Sequence, residues 1–258
     1  MDFINLNREV WDKKVETEYC WTRPVSTKEI ENAKKGNWKI VLTPTKPVPR
    51  DWFPESLVGK KILCLASAGG QQGPIMAATG AEVTVFDNSA KQLDQDKFVA
   101  ERDGLVINTV QGDMRDLSIF EDETFDFIIH PWSNCFIDTV LPVWKESYRV
   151  LKKGGTLISG FANPLEYIFD INALDEGKFV VKHSIPYSDL TSISEEELKE
   201  FLAQGEGVCF GHTLEDQIQG QIAAGFLIAG FYEDNCGGDS ALDAYINTAI
   251  ATKAIKGA

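Results

Sequence analysis

Between residues 61 and 161 the chain alternates short apolar runs with longer stretches whose apolar residues recur every three to four positions. Short apolar runs bounded by turn residues read as buried strands, and the periodic stretches read as helices. The spacing predicts strands over 61–66, 82–86, 106–110, 125–130 and 155–161, and helices over 72–79, 89–103 and 138–152. Ser89 with Gln92 marks the start of the second of these helices, and Gly104 its stop. Strand and helix in alternation mean an α/β, doubly wound, Rossmann-like parallel sheet with helices on both faces.

The flanks follow other patterns. Residues 5–19 allow a helix, and Ser26 with Glu29 forms a capping box for a second one that ends at Gly36. Pro44, Pro47, Pro49 and Pro54 then hold the chain extended, since each proline fixes its own φ and biases its predecessor away from helix. We therefore expect an N-terminal cap over 1–58 and a main domain over 59–258. After Phe161 the alternation breaks, and residues 162–212 read as an insertion or lid over the carboxyl edge of the sheet. It contains a strand-like 179–185 and a helix capped by Ser194 with Glu197. Thr213 with Asp216 opens a last helix that ends at Gly225, before strands over 226–232 and near 245–255.

Composition narrows the partners. A formal charge of -14 over 258 residues repels phosphate backbones, so nucleic acid is not expected. Residues 1–58 are nearly balanced, which places the acidity in the main domain. The five cysteines (Cys20, Cys64, Cys135, Cys209 and Cys236) contain no C-x-x-C pair, so neither a zinc site nor a disulfide framework is expected, and no metal. The start Met1-Asp2-Phe3-Ile4-Asn5 lacks a cationic, apolar leader, and no run reaches the ~18 to 20 apolar residues that span a bilayer. The expectation is a cytoplasmic protein with a small-molecule partner and no membrane partner.

The chemistry concentrates in Lys61-Ile62-Leu63-Cys64-Leu65-Ala66-Ser67-Ala68-Gly69-Gly70-Gln71-Gln72, followed by Val83-Thr84-Val85-Phe86-Asp87. A strand, a turn of small residues, a helix start and a second strand ending in a carboxylate form the elements of an adenosine-binding crevice. Small residues admit close approach of a ligand, and a carboxylate can accept both hydroxyl protons of a ribose. The turn carries no Lys or Arg, and Gln71 stands where the last glycine of a dinucleotide turn would fall. Neither a P-loop nor a pyrophosphate site is supported.

In chain order, four further segments extend the pattern: Asp87, Gly112-Asp113-Met114, Phe125-Asp126-Phe127-Ile128-Ile129, and Tyr148-Arg149-Val150-Leu151-Lys152-Lys153-Gly154-Gly155-Thr156-Leu157. Together they resemble the class I S-adenosylmethionine-dependent methyltransferases over residues 55–256. The resemblance implies a seven-stranded sheet whose last strand is antiparallel, S-adenosylmethionine as cofactor, and methyl transfer to a small acceptor. It aligns Cys64, Ala66, Ala68 and Gly70 with an acidic residue followed by G-x-G-x-G, so an acid and two glycines of that motif are absent.

The cofactor residues it implies are Ala66, Ser67, Ala68, Gly69 and Gly70 in the turn, Asp87 and Asn88 at the ribose, Asp113 and Met114 at the adenine, and His130. Candidate bases are His130, in His130-Pro131-Trp132-Ser133-Asn134, and His212 before the last helix, with Glu215 or Asp216 in their place for a carbon acid. Each histidine also reads as a satisfied structural group, and no base is required for a nucleophile that is already a neutral amine or thiolate. His183 reads as structural. Trp11, Trp21, Trp38 and Trp52, with Tyr19 and Phe53, are expected to dock the cap, one or two of them lining the pocket. Two rival readings keep the sheet: a non-catalytic S-adenosylmethionine-binding module, favoured by Cys64, Ala66 and Ala68, and a nicotinamide oxidoreductase, disfavoured by Gln71 and by the lack of a Tyr-x-x-x-Lys helix.

Overall fold

The structure, a computed structural model, describes residues 1–257. Its helices are α1 (Phe3–Glu16), α2 (Thr27–Lys34), α3 (Gln72–Ala78), α4 (Ala90–Asp103), α5 (Leu141–Val150), α6 (Ile171–Asp175), α7 (Asp189–Ser192), α8 (Glu195–Ala203) and α9 (Gly220–Ala224). Its strands are β1 (Lys61–Leu65), β2 (Glu82–Asp87), β3 (Ile107–Gln111), β4 (Phe125–His130), β5 (Leu151–Ala162), β6 (Tyr187–Ser188), β7 (Phe210–Gly211), β8 (Phe226–Asp234) and β9 (Ala249–Lys256). Seven of them form one sheet in the order β3-β2-β1-β4-β5-β9-β8, with β6 and β7 as a separate pair. β9 runs antiparallel to both of its neighbours, and the strands from β3 to β5 are mutually parallel. Chain order reverses between β1 and β4, so the crevice for a ligand opens above their carboxyl ends.

Alternation along β1 divides the core. Ile62 and Cys64 join α2, α3 and α4 on one face, whereas Leu63 and Leu65 join Val143 and Trp144 of α5 on the other. The capping signals hold in atomic detail. Ser26 with Glu29 and Ser194 with Glu197 form reciprocal capping boxes, and the Ser89 side chain accepts from the Gln92 N–H. Gly104, at φ 65°, terminates α4 in the left-handed conformation that glycine adopts without a Cβ clash. The acidic run Glu195–Glu197 forms the first turn of α8, where the helix dipole favours it.

The N-terminal segment divides in two. Residues 25–57 complete the first layer of the core, with Ile30, Ile40, Leu42, Trp52 and Phe53 buried against the sheet. The part before them, α1 above all, lies over the crevice, and residues 41–44 also border it. The strap formed by residues 41–46 is held from three sides. Asp234 accepts from the Thr43 hydroxyl at 2.7 Å and from the Thr45 and Lys46 N–H groups at 2.8 and 2.7 Å. The Leu42 carbonyl accepts from Trp132 N–H at 3.0 Å. A Cβ at Gly160 of β5 would stand 2.2 Å from that same carbonyl oxygen, so only glycine admits the strap here.

Three expectations require correction. Residues 179–185 form no strand: Asp170 N–H donates to Val180, and Lys182 and His183 N–H both donate to Ile168, so the stretch folds against its own loop. A full ladder needs a neighbouring strand, which this loop lacks. The helix expected over 138–152 spans Leu141–Val150, and β5 begins at once at Leu151, earlier than the periodicity implied. The last strand begins at Ala249, because residues 241–244 wind into a 3₁₀ turn.

Candidate functional site

A cavity of about 450 Å³ lies above the carboxyl ends of β1, β2 and β4, roofed by α1 and walled by the strap and by residues that follow β5. That volume falls in the range of small-molecule sites. Ala66, Ser67 and Ala68 present the β1 turn to it, Asp87 and Asn88 the end of β2, and Asp113 and Met114 the end of β3. Seven of the residues expected to hold a cofactor are thus brought together.

Asp87 is the best prepared of them. Its Oδ1 accepts from Ser89 N–H at 2.9 Å and its Oδ2 from Ala68 N–H at 3.2 Å. A carboxylate has about four lone-pair sites, so each oxygen keeps one for a ligand hydroxyl. Burial pushes its carboxyl up to about 6, against the pull of those backbone donors. Ala66 holds φ 47°, the left-handed region where a non-glycine residue is strained, and its N–H donates to Phe86 O at 2.7 Å. The backbone thus takes the glycine-like bend despite the methyl. Asp113 is gripped by Arg115, whose guanidinium also reaches Asp138 at 2.6 Å.

Gly69 and Gly70 belong elsewhere. Neither lines the cavity; their N–H groups donate to Asp96 Oδ2 at 3.0 and 3.1 Å. A Cβ at Gly69 would stand 3.1 Å from the Trp21 carbonyl oxygen, and one at Gly70 would stand 2.9 Å from Pro24 Cβ, so the pair makes room for the N-terminal segment. Sequence reasoning missed Asp96. Cys64 is sealed in the core, and Asp96 is close enough that its charge, after burial itself, raises the thiol. Asp96 of α4 thus holds the turn amides from outside the cavity. Burial pushes the Asp96 carboxyl up to about 8. Gln71 also gains an explanation, because its side-chain amide donates to Arg23 O at 3.2 Å and clasps the cap to the turn.

None of the candidate bases, His130, His212, Glu215 and Asp216, lines the cavity. His130 is fully buried, with Nδ1 2.9 Å from Leu65 O and Nε2 2.7 Å from Asn134 Oδ1, and a neutral ring donates to one of these two acceptors. Burial keeps it neutral by lowering its pKa. His212 is likewise buried and donates to Asn134 O at 3.0 Å. Glu215 is exposed at the start of a π-helical turn, Glu215–Gln219. His130, also expected to hold the cofactor, thus does not line the cavity. Asp216 shares a cap with Thr213, as the sequence implied.

What the sequence did not locate is the roof. Ile4, Asn7, Arg8, Trp11 and Lys14 line the cavity from α1 at helical spacing. Asn88 donates to Ile4 O at 3.0 Å, and the Ser89 hydroxyl donates to Asp12 at 2.6 Å, which fixes α1 on the start of α4. Trp11, Tyr19 and Trp21 line the cavity, whereas Trp38, Trp52 and Phe53 pack in or against the core. Lys14 is paired with Glu206 at 3.0 Å; Arg8 makes no ion pair or hydrogen bond among the described residues. Glu166, four residues beyond the end of β5, also lines the cavity.

Known proteins point the same way. Residues 63–159 match the family model described as a methyltransferase domain. The chain is 57% identical over 250 residues, 97% of each chain, to YbaJ of Bacillus subtilis (strain 168), described as an uncharacterized methyltransferase. An S-adenosylmethionine-dependent methyltransferase from Mesorhizobium loti superposes with a TM-score of 0.60 at 20% identity, over 80% of this chain and 95% of that one. Geranyl diphosphate C-methyltransferase from Streptomyces coelicolor A3(2), solved with Mg²⁺, geranyl diphosphate and S-adenosyl-L-homocysteine, gives 0.56 at 14%, over 80% of this chain and 76% of that one. At such identities the two structures speak for the fold alone.

Proposed function

The chain belongs to the class I S-adenosylmethionine-dependent methyltransferases, and from that premise we propose that it methylates a small molecule bound inside the roofed cavity, with the cofactor lying along the ends of β3, β2 and β1. The observation that carries the placement is Asp87: a carboxylate at the tip of β2, facing the cavity, with one spare lone pair on each oxygen. S-adenosylmethionine supplies a methyl group on a cationic sulfur.

The residues present fit that molecule. Asp87 and Asn88 take the ribose, Asp113 and Met114 flank the adenine, and the backbone of Ala66–Ala68 admits the chain beyond the ribose. Arg8, half-buried and without a protein partner among the described residues, takes the methionyl carboxylate. Roof and strap exclude water, so the protein's work is alignment of two reactants. Of the lining cations, Arg8 and Lys14 both come from α1, so the cap contributes to binding as well as to coverage.

The acceptor is bounded more coarsely. Net charge supports a partner other than nucleic acid, and no helix among the described residues is long and apolar enough to cross a membrane. All five cysteines carry free thiols, which supports the cytoplasm as the compartment. Beyond the substitutions at Cys64, Ala66 and Ala68, no observation favours the non-catalytic module, and none favours the nicotinamide oxidoreductase. Titration calorimetry with S-adenosylhomocysteine and, separately, with NADH tests the assignment: the first is expected to bind and the second not. Binding of NADH alone would overturn it.

A further inference from the structure

Glu166 stands apart from the other acids of the cavity. It follows β5 in a 3₁₀ turn, Pro164–Ile168, and its Oε2 is fully buried without any hydrogen-bond partner among the described residues. It has no ion pair either, and the two lining cations, Arg8 and Lys14, belong to α1. Asp87 ends β2 and Glu166 follows β5, strands that are three steps apart in the sheet, β2-β1-β4-β5. At ~4.8 Å per step those strand ends are roughly 14 Å apart. On that spacing Glu166 lines the cavity away from the ribose acid, on the side left for the acceptor.

An isolated buried carboxylate is costly unless a ligand supplies the missing charge. The surroundings choose the sign. Asp243 lies close enough to add to the negative potential at Glu166, and the ring of Trp132 lines the same cavity, as does Glu206, which Lys14 neutralises. A carboxylate among acids and aromatic faces suits a cation.

We propose that the methyl acceptor is a small amine that binds as its ammonium ion, and that Glu166 is the catalytic residue that holds it and takes its proton. The ammonium gives one proton to Glu166 Oε2. The lone pair freed on nitrogen forms the bond to the methyl carbon, and the electron pair of the breaking carbon–sulfur bond stays on sulfur, which becomes a neutral thioether. The N-methylated ammonium product keeps its positive charge, and Glu166 passes its proton to water. Burial, with Asp243 second, pushes the Glu166 carboxyl up to about 7, near the pKa suited to accepting a proton at neutral pH. The other titratable groups that feel it are Cys236 and Tyr167, whose own pKa values are raised in part by Glu166.

This inference rests on the methyltransferase reading, and one experiment separates the two. With S-adenosylhomocysteine bound, the protein is titrated with benzylamine and its neutral isostere benzyl alcohol, followed by calorimetry and thermal shift at pH 6 and 8. Benzylamine is expected to bind at least tenfold more tightly than the alcohol, and more tightly at pH 8 than at pH 6. Glu166→Gln is expected to abolish the preference while binding S-adenosylhomocysteine within twofold of the wild type, which also reports that it folds. Equal binding of amine and alcohol, or an amine preference that survives in Glu166→Gln, overturns the assignment. Failure of S-adenosylhomocysteine to bind the wild type would instead sink the methyltransferase reading.

Discussion

Asn7 and Val208 are joined across 201 residues of chain by two reciprocal hydrogen bonds: Val208 N–H donates to Asn7 Oδ1 at 2.7 Å, and Asn7 Nδ2 donates to Val208 O at 3.0 Å. The same amide donates to Phe136 O at 3.1 Å, so one buried side chain locks α1 to both the insertion and the loop after β4. Removing it strands three backbone groups in the interior. Asn7→Ala is expected to lower unfolding stability by about 1–3 kcal/mol, measured in urea, and to speed release of S-adenosylhomocysteine in stopped flow. An unchanged release rate would show that α1 does not gate the cavity.

Asp87→Ala removes the carboxylate assigned to the ribose. Hydrogen bonds to a charged acceptor are worth about 1.5–3 kcal/mol each, so affinity for S-adenosylhomocysteine should fall at least tenfold, or about 1.4 kcal/mol, by calorimetry. Wild-type affinity in the variant would remove the ribose from β2.

Asp96 makes stability depend on pH. Its folded pKa, raised by burial to about 8, lies above the value of an unfolded aspartate, so the folded state holds the extra proton between them. The stability this gives is complete below about pH 4 and is lost as pH rises through about 8. Asp96→Asn keeps an oxygen for the Gly69 and Gly70 N–H groups without a charge to bury. Its melting temperature should exceed that of the wild type at pH 9, and the gap should narrow toward pH 6.

His130 offers the opposite kind of test. Its ring nitrogens lie 2.9 Å from Leu65 O and 2.7 Å from Asn134 Oδ1, both acceptors, so a neutral ring donates to one of them, and Asn134 Nδ2 continues the network to Gln217 at 2.9 Å. His130→Ala is expected to cost at least about 2 kcal/mol of unfolding stability. If stability is unchanged while methyl transfer is lost, the histidine is a catalytic group after all.

Legibility in the sequence followed the range of the interaction. Ser26 with Glu29 and Ser194 with Glu197 cap their helices through contacts three residues apart, so the signal is complete within the motif. Asp87 was recoverable because a carboxylate ending β2 beside a small-residue turn is set by two adjacent strands. By contrast, residues 179–185 share the apolar texture of a strand, and only the absence of a neighbour to pair with excluded one.

By itself, then, the sequence determined the alternation of strand and helix and the small-residue turn with its acid, because local periodicity and capping decide those; the antiparallel last strand came only from the family resemblance. Tertiary structure alone decided which groups face the cavity. Arg8 of α1 and Glu166 after β5 both line it, Asp96 of α4 holds the Gly69 and Gly70 amides, and His130 is turned into the core. Such placements depend on packing between segments far apart in the chain, which no local pattern encodes.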